Sequence, residues 1–212
     1  MGAAPQDNHH CFKGMGLTIW RDRARGLQPL DTVGGPNGHR ISYQADAQDG
    51  FALNTGGIAT PCMVILPMRP LIRFLRAGVK PADGYGGNWW LDLDAYPVLS
   101  SYALNQGLTL AQAAQRLLVV PQEWSDCAQM VVVRPRVALM AYTGKGKPVA
   151  LNNGRNVSPD AIRLSGTRVY DAPQGTNIEQ IYIPGERQFL SAWFTFISGH
   201  SALQGGGARP PL

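Results

Sequence analysis

The stretch that decides how this chain folds is Thr176-Asn177-Ile178-Glu179-Gln180-Ile181-Tyr182-Ile183-Pro184-Gly185. Its β-branched and aromatic residues favour a short strand, and the Pro-Gly pair ends it. The two-residue period of a strand places Asn177 and Glu179 on one face and Gln180 on the opposite face. Two explanations account for a carboxylate in such a strand. Glu179 either stands in water on an edge strand, or lines a cleft where it takes part in chemistry.

Outward from this strand, the composition indicates a mixed α+β protein. A chain of 212 residues is long enough to bury a substantial core. Hydrophobic residues make up 44% and charged residues only 16%, and with 25 Gly and 16 Pro this favours many short strands and loops over a helix bundle. We therefore predict one domain over residues 16–200, between a flexible N-terminal arm (1–15) and a flexible tail (201–212).

Charge and cysteine content limit the partners and the cellular setting. The net charge of +5 allows a nucleic-acid or acidic partner without requiring one. Three cysteines with no metal-ligand spacing predict reduced thiols and no metal site, which suits the cytoplasm. The chain shows no signal peptide and no apolar run of about 20 residues, so we expect no membrane span. The expected location is the cytoplasm, or the cytoplasm of a target cell after secretion.

Local patterns predict the remaining elements. Thr109 and Gln112 have the spacing of a capping box and begin the clearest helix, 109–119. Helices are also predicted over 70–77 and, interrupted near its start by Pro97, over 94–105. The predicted strands are 16–21, 40–43, 88–93, 129–133, 137–142 and 168–170. Residues 144–147 are predicted as a basic solvent loop, 150–162 as a polar loop with a helix start at 158–160, and 188–197 as core strand or helix.

Several familiar catalytic patterns are missing from the sequence. It contains neither a G-x-S-x-G nucleophile elbow nor a dinucleotide-binding G-x-G-x-x-G. Gly144-Lys145-Gly146-Lys147 lacks the flanking context of a phosphate-binding P-loop. Asp92 and Asp94 share one face of a predicted strand, and a solvent-facing pair is a better explanation for them than glycoside or metal chemistry.

Four segments together resemble a known family. Ile19-Trp20-Arg21-Asp22 ends the first predicted strand, and Tyr43-Gln44-Ala45-Asp46 is a competing match to the same motif. Gly86-Gly87-Asn88-Trp89-Trp90-Leu91-Asp92 precedes a helix, and Asn177-Ile178-Glu179 lies in the late strand. In order and spacing these segments are similar to the motifs of ADP-ribosyltransferases of the bacterial toxin type. The chain departs from them by lacking a Ser-Thr-Ser segment and by having Asn177 where Glu or Gln is usual.

This resemblance implies a fold, a substrate and a set of site residues. The fold would be ADP-ribosyltransferase-like, with split antiparallel β-sheets around a cleft and flanking helices, and NAD would be the substrate. Glu179 would stabilise the positive charge that develops on the ribose when NAD is cleaved. Asn177 would engage the acceptor, and Arg21, or Arg40 in its place, would hold the phosphates or ribose. The other residues expected to bind NAD are Tyr43, Trp89, Trp90 and Gln180.

The resemblance also implies partners, and two other functions stay open. Because Asn177 carries no charge to activate a guanidinium, an amide, base or RNA acceptor is favoured over arginine. The protein would be a monomeric toxin or effector that modifies a protein or nucleic acid, with an immunity-like protein as a further partner. The first alternative is a basic RNA-binding or RNA-acting domain without NAD chemistry. The second is a non-catalytic interaction module that uses its Trp and Tyr residues.

Overall fold

The structure is a computed structural model that describes Asn8, residues 12–13, 36–37, 40–42, 55–66, 68–84, 86–176, 178–184 and 187–205. The strands are β1 Phe12–Lys13, β2 Pro36–Asn37, β3 Arg40–Ser42, β4 Ile58–Ile65, β5 Leu71–Leu75, β6 Trp89–Asp92, β7 Gln129–Pro135, β8 Met140–Gly146, β9 Val149–Asn152, β10 Arg155–Asn156, β11 Thr167–Tyr170, β12 Glu179–Tyr182 and β13 Phe194–Ser201. The helices are α1 Ala95–Gln106, α2 Leu110–Leu117 and α3 Arg187–Ala192, with 3₁₀ turns at Pro81–Asp83 and Pro159–Arg163.

Seven strands form the main sheet in the order β13-β7-β5-β6-β12-β8-β4, and every neighbouring pair is antiparallel. Strand β6 joins its two halves. It pairs with β5 through Leu91 and Asp92, and with β12 through Trp89 and Trp90. Each half therefore uses a different part of β6, and the sheet divides at this strand.

Both faces of the main sheet are covered. On one face, Ile72 and Leu91 pack with residues of α1 and α2, such as Leu99 and Ala114. On the opposite face, a second cluster includes Leu190 of α3 and the following Trp193. The chain is thus a mixed α+β protein built on antiparallel sheets with few helices, as its composition predicts.

Strand β5 corrects the helix predicted over 70–77. Leu71 and Leu75 belong to the second cluster, whereas Ile72 packs on the helix-covered face. A strand buried on both faces has a nearly continuous apolar run, which resembles helical spacing over so few residues. The prediction was wrong because β5 is held between β6 and β7 by pairing that its own sequence does not reveal.

The two predicted helices on the helix-covered face are confirmed. The Thr109 side chain accepts a hydrogen bond from the Gln112 backbone N–H (3.2 Å), and the Gln112 side chain accepts one from the Thr109 N–H (3.0 Å). In α1, Pro97 lies in the first turn, where a missing N–H costs no helical hydrogen bond. Pro97 therefore does not interrupt the helix, contrary to expectation.

A smaller antiparallel sheet, β10-β9-β11, follows β8 directly. Two loop predictions are wrong. Gly144 and Lys145 of β8 pair with β12, Gly146 of β8 pairs with Ile58 of β4, and residues 149–156 form the β9–β10 hairpin. The turn of this hairpin is Asn153-Gly154, and both residues have positive φ (49° and 74°). Asn-Gly is the preferred pair for such a turn, so this hairpin had a local signal in the sequence.

The other strand predictions agree well with the structure. The predicted ranges overlap with β3, β6, β7, β8 and β11. The apolar segment 188–197 covers most of α3 and the start of β13. The predicted helix start at 158–160 is a 3₁₀ turn. The strand predicted over 16–21 lies outside the described residues.

Parts of the predicted arm and tail have defined places. Asn8 is fully buried, and β1 pairs with β3. In the predicted tail, Ser201 ends β13, and Ala202 is buried and donates its backbone N–H to the Ala128 carbonyl (2.8 Å).

Candidate functional site

A cleft of about 420 Å³ lies where the main sheet divides, between the unpaired parts of β5 and β6, and it reaches the smaller sheet. Its volume falls within the range of small-molecule sites, about 300–1,000 Å³. It is lined by Thr55, Gly56, Gly57, Ile72, Arg73, Phe74, Trp89, Trp90, Leu91, Leu118, Val119, Val120, Trp124, Ser125, Cys127, Lys147, Val149, Asn156, Gln180 and Tyr182.

The floor of the cleft follows from strand register. Residues directly opposite each other in antiparallel strands share a face, so Ile72 lies beside Leu91, and Trp89 beside Tyr182. The Trp89 and Tyr182 rings meet edge to face with centroids 4.9 Å apart. Trp89 is 37% exposed, whereas Trp90, on the other face, is 2% exposed. The floor therefore offers an accessible aromatic surface, with Trp89 at its edge.

The segment that carries Trp124 forms a wall of the cleft and is held by several hydrogen bonds. Arg76 donates to the Trp124 carbonyl, and the Ala77 N–H donates to the Asp126 carboxylate (2.9 Å). The Gln115 amide donates to the Ser125 carbonyl (2.8 Å). These bonds tie the wall to the end of β5 and to α2, and the Trp124 side chain packs against the cluster that contains Val119 and Val149.

Two residues lining the cleft have an unusual backbone conformation. Val119 and Cys127 have φ of 54° and 53°, in the left-handed region that non-glycine residues rarely adopt. Such conformations persist where surrounding contacts hold them, and they cluster at functional sites. The Cys127 thiol is unsuited to be a nucleophile, because burial raises its pKa to about 11 and keeps it protonated.

Arg73 lies at the point where the sheet divides. One guanidinium nitrogen donates to the Trp89 carbonyl (3.3 Å), and the guanidinium carbon is 5.8 Å from the centre of the Trp90 ring. Gly87 makes room for this side chain, because a Cβ atom there would be 1.7 Å from the guanidinium. Arg73 thus shares the face of Leu71 and Trp90, and it lines the cleft from the side opposite to the Trp89 ring.

Lys147 provides a second cation on the side of the smaller sheet. Its backbone N–H donates to the Gly57 carbonyl (2.9 Å). Burial lowers the pKa of its ammonium group, because partial removal from water disfavours the charged form. Arg73 and Lys147 both line this cleft, where their side-chain N–H groups can donate to an anionic ligand.

The polar rim beside Lys147 is rigid. The buried Thr55 hydroxyl accepts a hydrogen bond from the Ala150 N–H (2.8 Å) and contacts the Asn156 side chain. The Asn156 amide donates in return to the Thr55 carbonyl (2.7 Å). These bonds join the loop before β4 to the β9–β10 hairpin, so two distant parts of the chain form one edge of the cleft.

The opening strand β12 presents Gln180 to the cleft, as the two-residue period predicts. The Gln180 amide nitrogen donates to the Leu118 carbonyl (2.9 Å). Glu179 is exposed, stands on the opposite face in register with Lys145, and is not a lining residue. Its surroundings match the explanation of a carboxylate in water, although β12 is an inner strand.

The residues predicted for the site thus fall into three groups. Trp89, Trp90 and Gln180 line one cleft, and Glu179 stands outside its described lining. Arg21, Tyr43 and Asn177 lie outside the described residues.

Sequence reasoning did not select three of the lining residues, Arg73, Trp124 and Lys147. Lys147 had a signal in the noted Gly-Lys-Gly-Lys run. Arg73 was hidden because a helix was predicted there.

The other candidate centres have structural roles or no support. Arg69 forms an ion pair with Asp92 and another with Asp94 (3.2 Å), which accounts for that carboxylate pair. Among the residues that the structure describes, no three His, Cys, Asp or Glu side chains gather as metal ligands would. No helix in the described ranges combines the length and the apolar character needed to cross a membrane.

Comparison with known proteins leaves the site to be interpreted from its own geometry. No protein-family model matches the chain, and neither the curated proteins nor the solved structures contain a match to it.

Proposed function

We propose that the cleft binds an anionic ligand that carries a flat aromatic ring, and that this ligand is a nucleotide. The observation that carries the proposal is the combination of Arg73 and Lys147 with Trp89 and Trp124 around one cavity. NAD, the substrate implied by the sequence resemblance, belongs to this class of ligand.

Each part of the cleft suits a different part of a nucleotide. Arg73 offers planar N–H donors that match phosphate oxygens, and Lys147 offers a compact positive charge. The exposed Trp89 and the Trp124 wall offer surfaces on which a base can stack. A volume of about 420 Å³ is suited to enclosing one half of a dinucleotide, while the other half extends over the rim.

The second candidate function is ADP-ribosyl transfer from NAD. It is favoured by the division of the sheet at β6, with Trp89 and Trp90 beside the cleft, because the resemblance implies a split sheet of this kind. In this reaction the bond between the ribose carbon and nicotinamide breaks, and its electron pair leaves with nicotinamide. The acceptor nucleophile then bonds to that carbon and loses a proton.

Transfer needs a carboxylate to stabilise the developing positive charge, and the resemblance assigns this role to Glu179. Glu179 is next to Gln180 in β12, but its side chain stands on the opposite face. Nucleotide binding is therefore the better supported function, because ADP-ribosyl transfer also needs the Glu179 carboxylate to act on the ligand. Activity as a toxin or effector on a protein or RNA acceptor remains a prediction from the resemblance.

The binding proposal is tested by titrating the protein with NAD, AMP and inorganic phosphate while tryptophan fluorescence is recorded. We expect saturable quenching by NAD and AMP, with affinity lowered about tenfold or more by Arg73→Met because one charged hydrogen bond is lost. The control is Arg163→Met, an exposed residue that does not line the cleft. No binding of either nucleotide, or equal loss in both variants, would refute the proposal.

Transfer is tested separately by measuring nicotinamide release from NAD, with and without cell lysate. Release by the wild type that is abolished by Glu179→Gln would support the transferase. Nucleotide binding without release would leave a binding protein. Salt-dependent RNA binding without nucleotide binding would favour the RNA-binding alternative.

A further inference from the structure

The Gln180 side chain has a fixed orientation in the cleft. Its amide nitrogen lies 2.9 Å from the carbonyl oxygen of Leu118, the C-cap residue of α2. Only the NH₂ group of an amide can donate to a carbonyl, so the nitrogen must face Leu118. This bond also satisfies one of the carbonyls that a helix leaves without an intrahelical partner at its C-terminus.

The orientation leaves the Gln180 amide oxygen as an acceptor beside the cleft. No donor among the described residues binds this oxygen, and Gln180 lines the cavity with Tyr182. Gly146 provides the space for the amide, because a Cβ atom there would be 2.4 Å from the amide nitrogen. The sheet therefore presents an uncharged hydrogen-bond acceptor close to the aromatic floor.

We propose that Gln180 determines the specificity of the cleft, by selecting ligands whose aromatic ring carries an N–H donor on its edge. This inference rests on the proposed nucleotide function. NAD has two groups of this chemistry, the adenine amine and the nicotinamide carboxamide. A ligand without this donor would leave the amide oxygen without a hydrogen bond, which a partly buried site rejects strongly.

Two analogues of NAD distinguish these two sources. Nicotinic acid adenine dinucleotide replaces the carboxamide by a carboxylate, and the NAD analogue with unsubstituted purine in place of adenine replaces the adenine amine by hydrogen. The dissociation constants of NAD and both analogues are measured for the wild type. We expect one analogue to bind about tenfold or more weakly than NAD, the discrimination expected for one hydrogen bond.

Two variants then test Gln180 itself. Gln180→Met keeps the length of the side chain and removes the acceptor. Gly146→Ala leaves the Gln180 amide in the chain but moves it out of its position beside the cleft. For the analogue that the wild type binds more weakly, the ratio of its dissociation constant to that of NAD should fall at least severalfold towards one in both variants. Gln106→Met, at the exposed end of α1, is the control and should leave the ratio unchanged.

The outcomes separate this proposal from a structural role and from the proposed function. If Gln180 only supported α2, Gln180→Met would weaken all three ligands equally and keep the ratio, which would overturn the proposal. Equal binding of NAD and both analogues by the wild type would overturn it too, while nucleotide binding would stand. If none of the three dinucleotides bound, both proposals would fall.

Discussion

Lys147 is the residue whose titration would report on ligand binding. Burial holds its pKa below the ordinary value of 10.5, and an anion beside the ammonium group would raise the pKa again. The protonated cleft therefore binds the anion more tightly. Without ligand, the effect of Lys147 on folding stability changes with pH in the opposite direction. The unfolded chain holds this proton more tightly, so the contribution of Lys147 to stability rises as pH increases from the folded pKa towards 10.5.

We predict that the affinity for AMP is constant near neutral pH and falls as pH rises through the pKa of Lys147, beginning below 10.5. The total loss should be about tenfold, the value of one charged hydrogen bond. Titrations between neutral pH and about 10.5, read by tryptophan fluorescence, check this. Lys147→Met should bind more weakly and with a flat profile over this range. A variant profile that still falls would assign the dependence to another group.

At the scale of single elements, α2 shows how a local sequence signal fixes one end of a structure. The reciprocal hydrogen bonds of Thr109 and Gln112 satisfy two N–H groups that the first turn would otherwise leave without partners. The apolar face of the helix, which includes Ala114 and Leu117, packs on the main sheet. Since Leu118 at its other end meets Gln180, the placement of α2 also affects the cleft.

We predict that Thr109→Ala lowers the free energy of unfolding by about 1 kcal/mol, because the helix loses its N-terminal cap. Urea unfolding provides the measurement. In a double-mutant cycle with Gln112→Ala the two losses should not add, because each side chain caps the other's backbone. Ser101→Ala, on the exposed side of α1, serves as the control. Strictly additive losses would contradict the capping box.

Strand β5 shows the limit of predicting an element from its own residues. Its five residues, Leu71–Leu75, place apolar side chains on both faces of the sheet. Pairing with β6 and β7, which lie far along the chain from each other, holds these residues in a strand. A helix and a doubly buried strand have similar patterns over so short a run, and only the partners distinguish them.

At the scale of the whole molecule, Asn8 connects the N-terminal part of the chain to the main sheet. Its amide nitrogen donates to the carbonyls of Met140 (2.8 Å) and Pro184 (3.1 Å), and its oxygen accepts from the Met140 N–H (2.9 Å). These bonds join the start of β8 to the segment after β12. One buried amide thus holds together the half of the sheet that carries Gln180.

We predict that Asn8→Ala lowers the free energy of unfolding by about 1–3 kcal/mol, because the buried Met140 N–H loses its partner. The urea midpoint should fall with an unchanged slope. Asn105→Ala, on the exposed side of α1, is the matched control and should change stability by less than about 0.5 kcal/mol. A loss of unfolding free energy no larger than that of the control would show that Asn8 does not stabilise the fold.

The sequence by itself determined the features that depend on neighbours a few residues apart. They include the capping box at Thr109, the strand that holds Trp89 and Trp90 on opposite faces, and the alternation that separates Glu179 from Gln180. These follow because backbone geometry sets which residues share a face or a turn, whatever the rest of the chain does.

Only the tertiary structure decided which residues meet in the cleft. It brings Arg73, Trp124 and Lys147 to one cleft with Gln180 and leaves Glu179 on the opposite face. These positions depend on strand order, on the division of the sheet at β6, and on bonds such as that between Gln180 and Leu118. The physical reason is that burial and pairing join residues far apart in the chain, and no local pattern records such contacts.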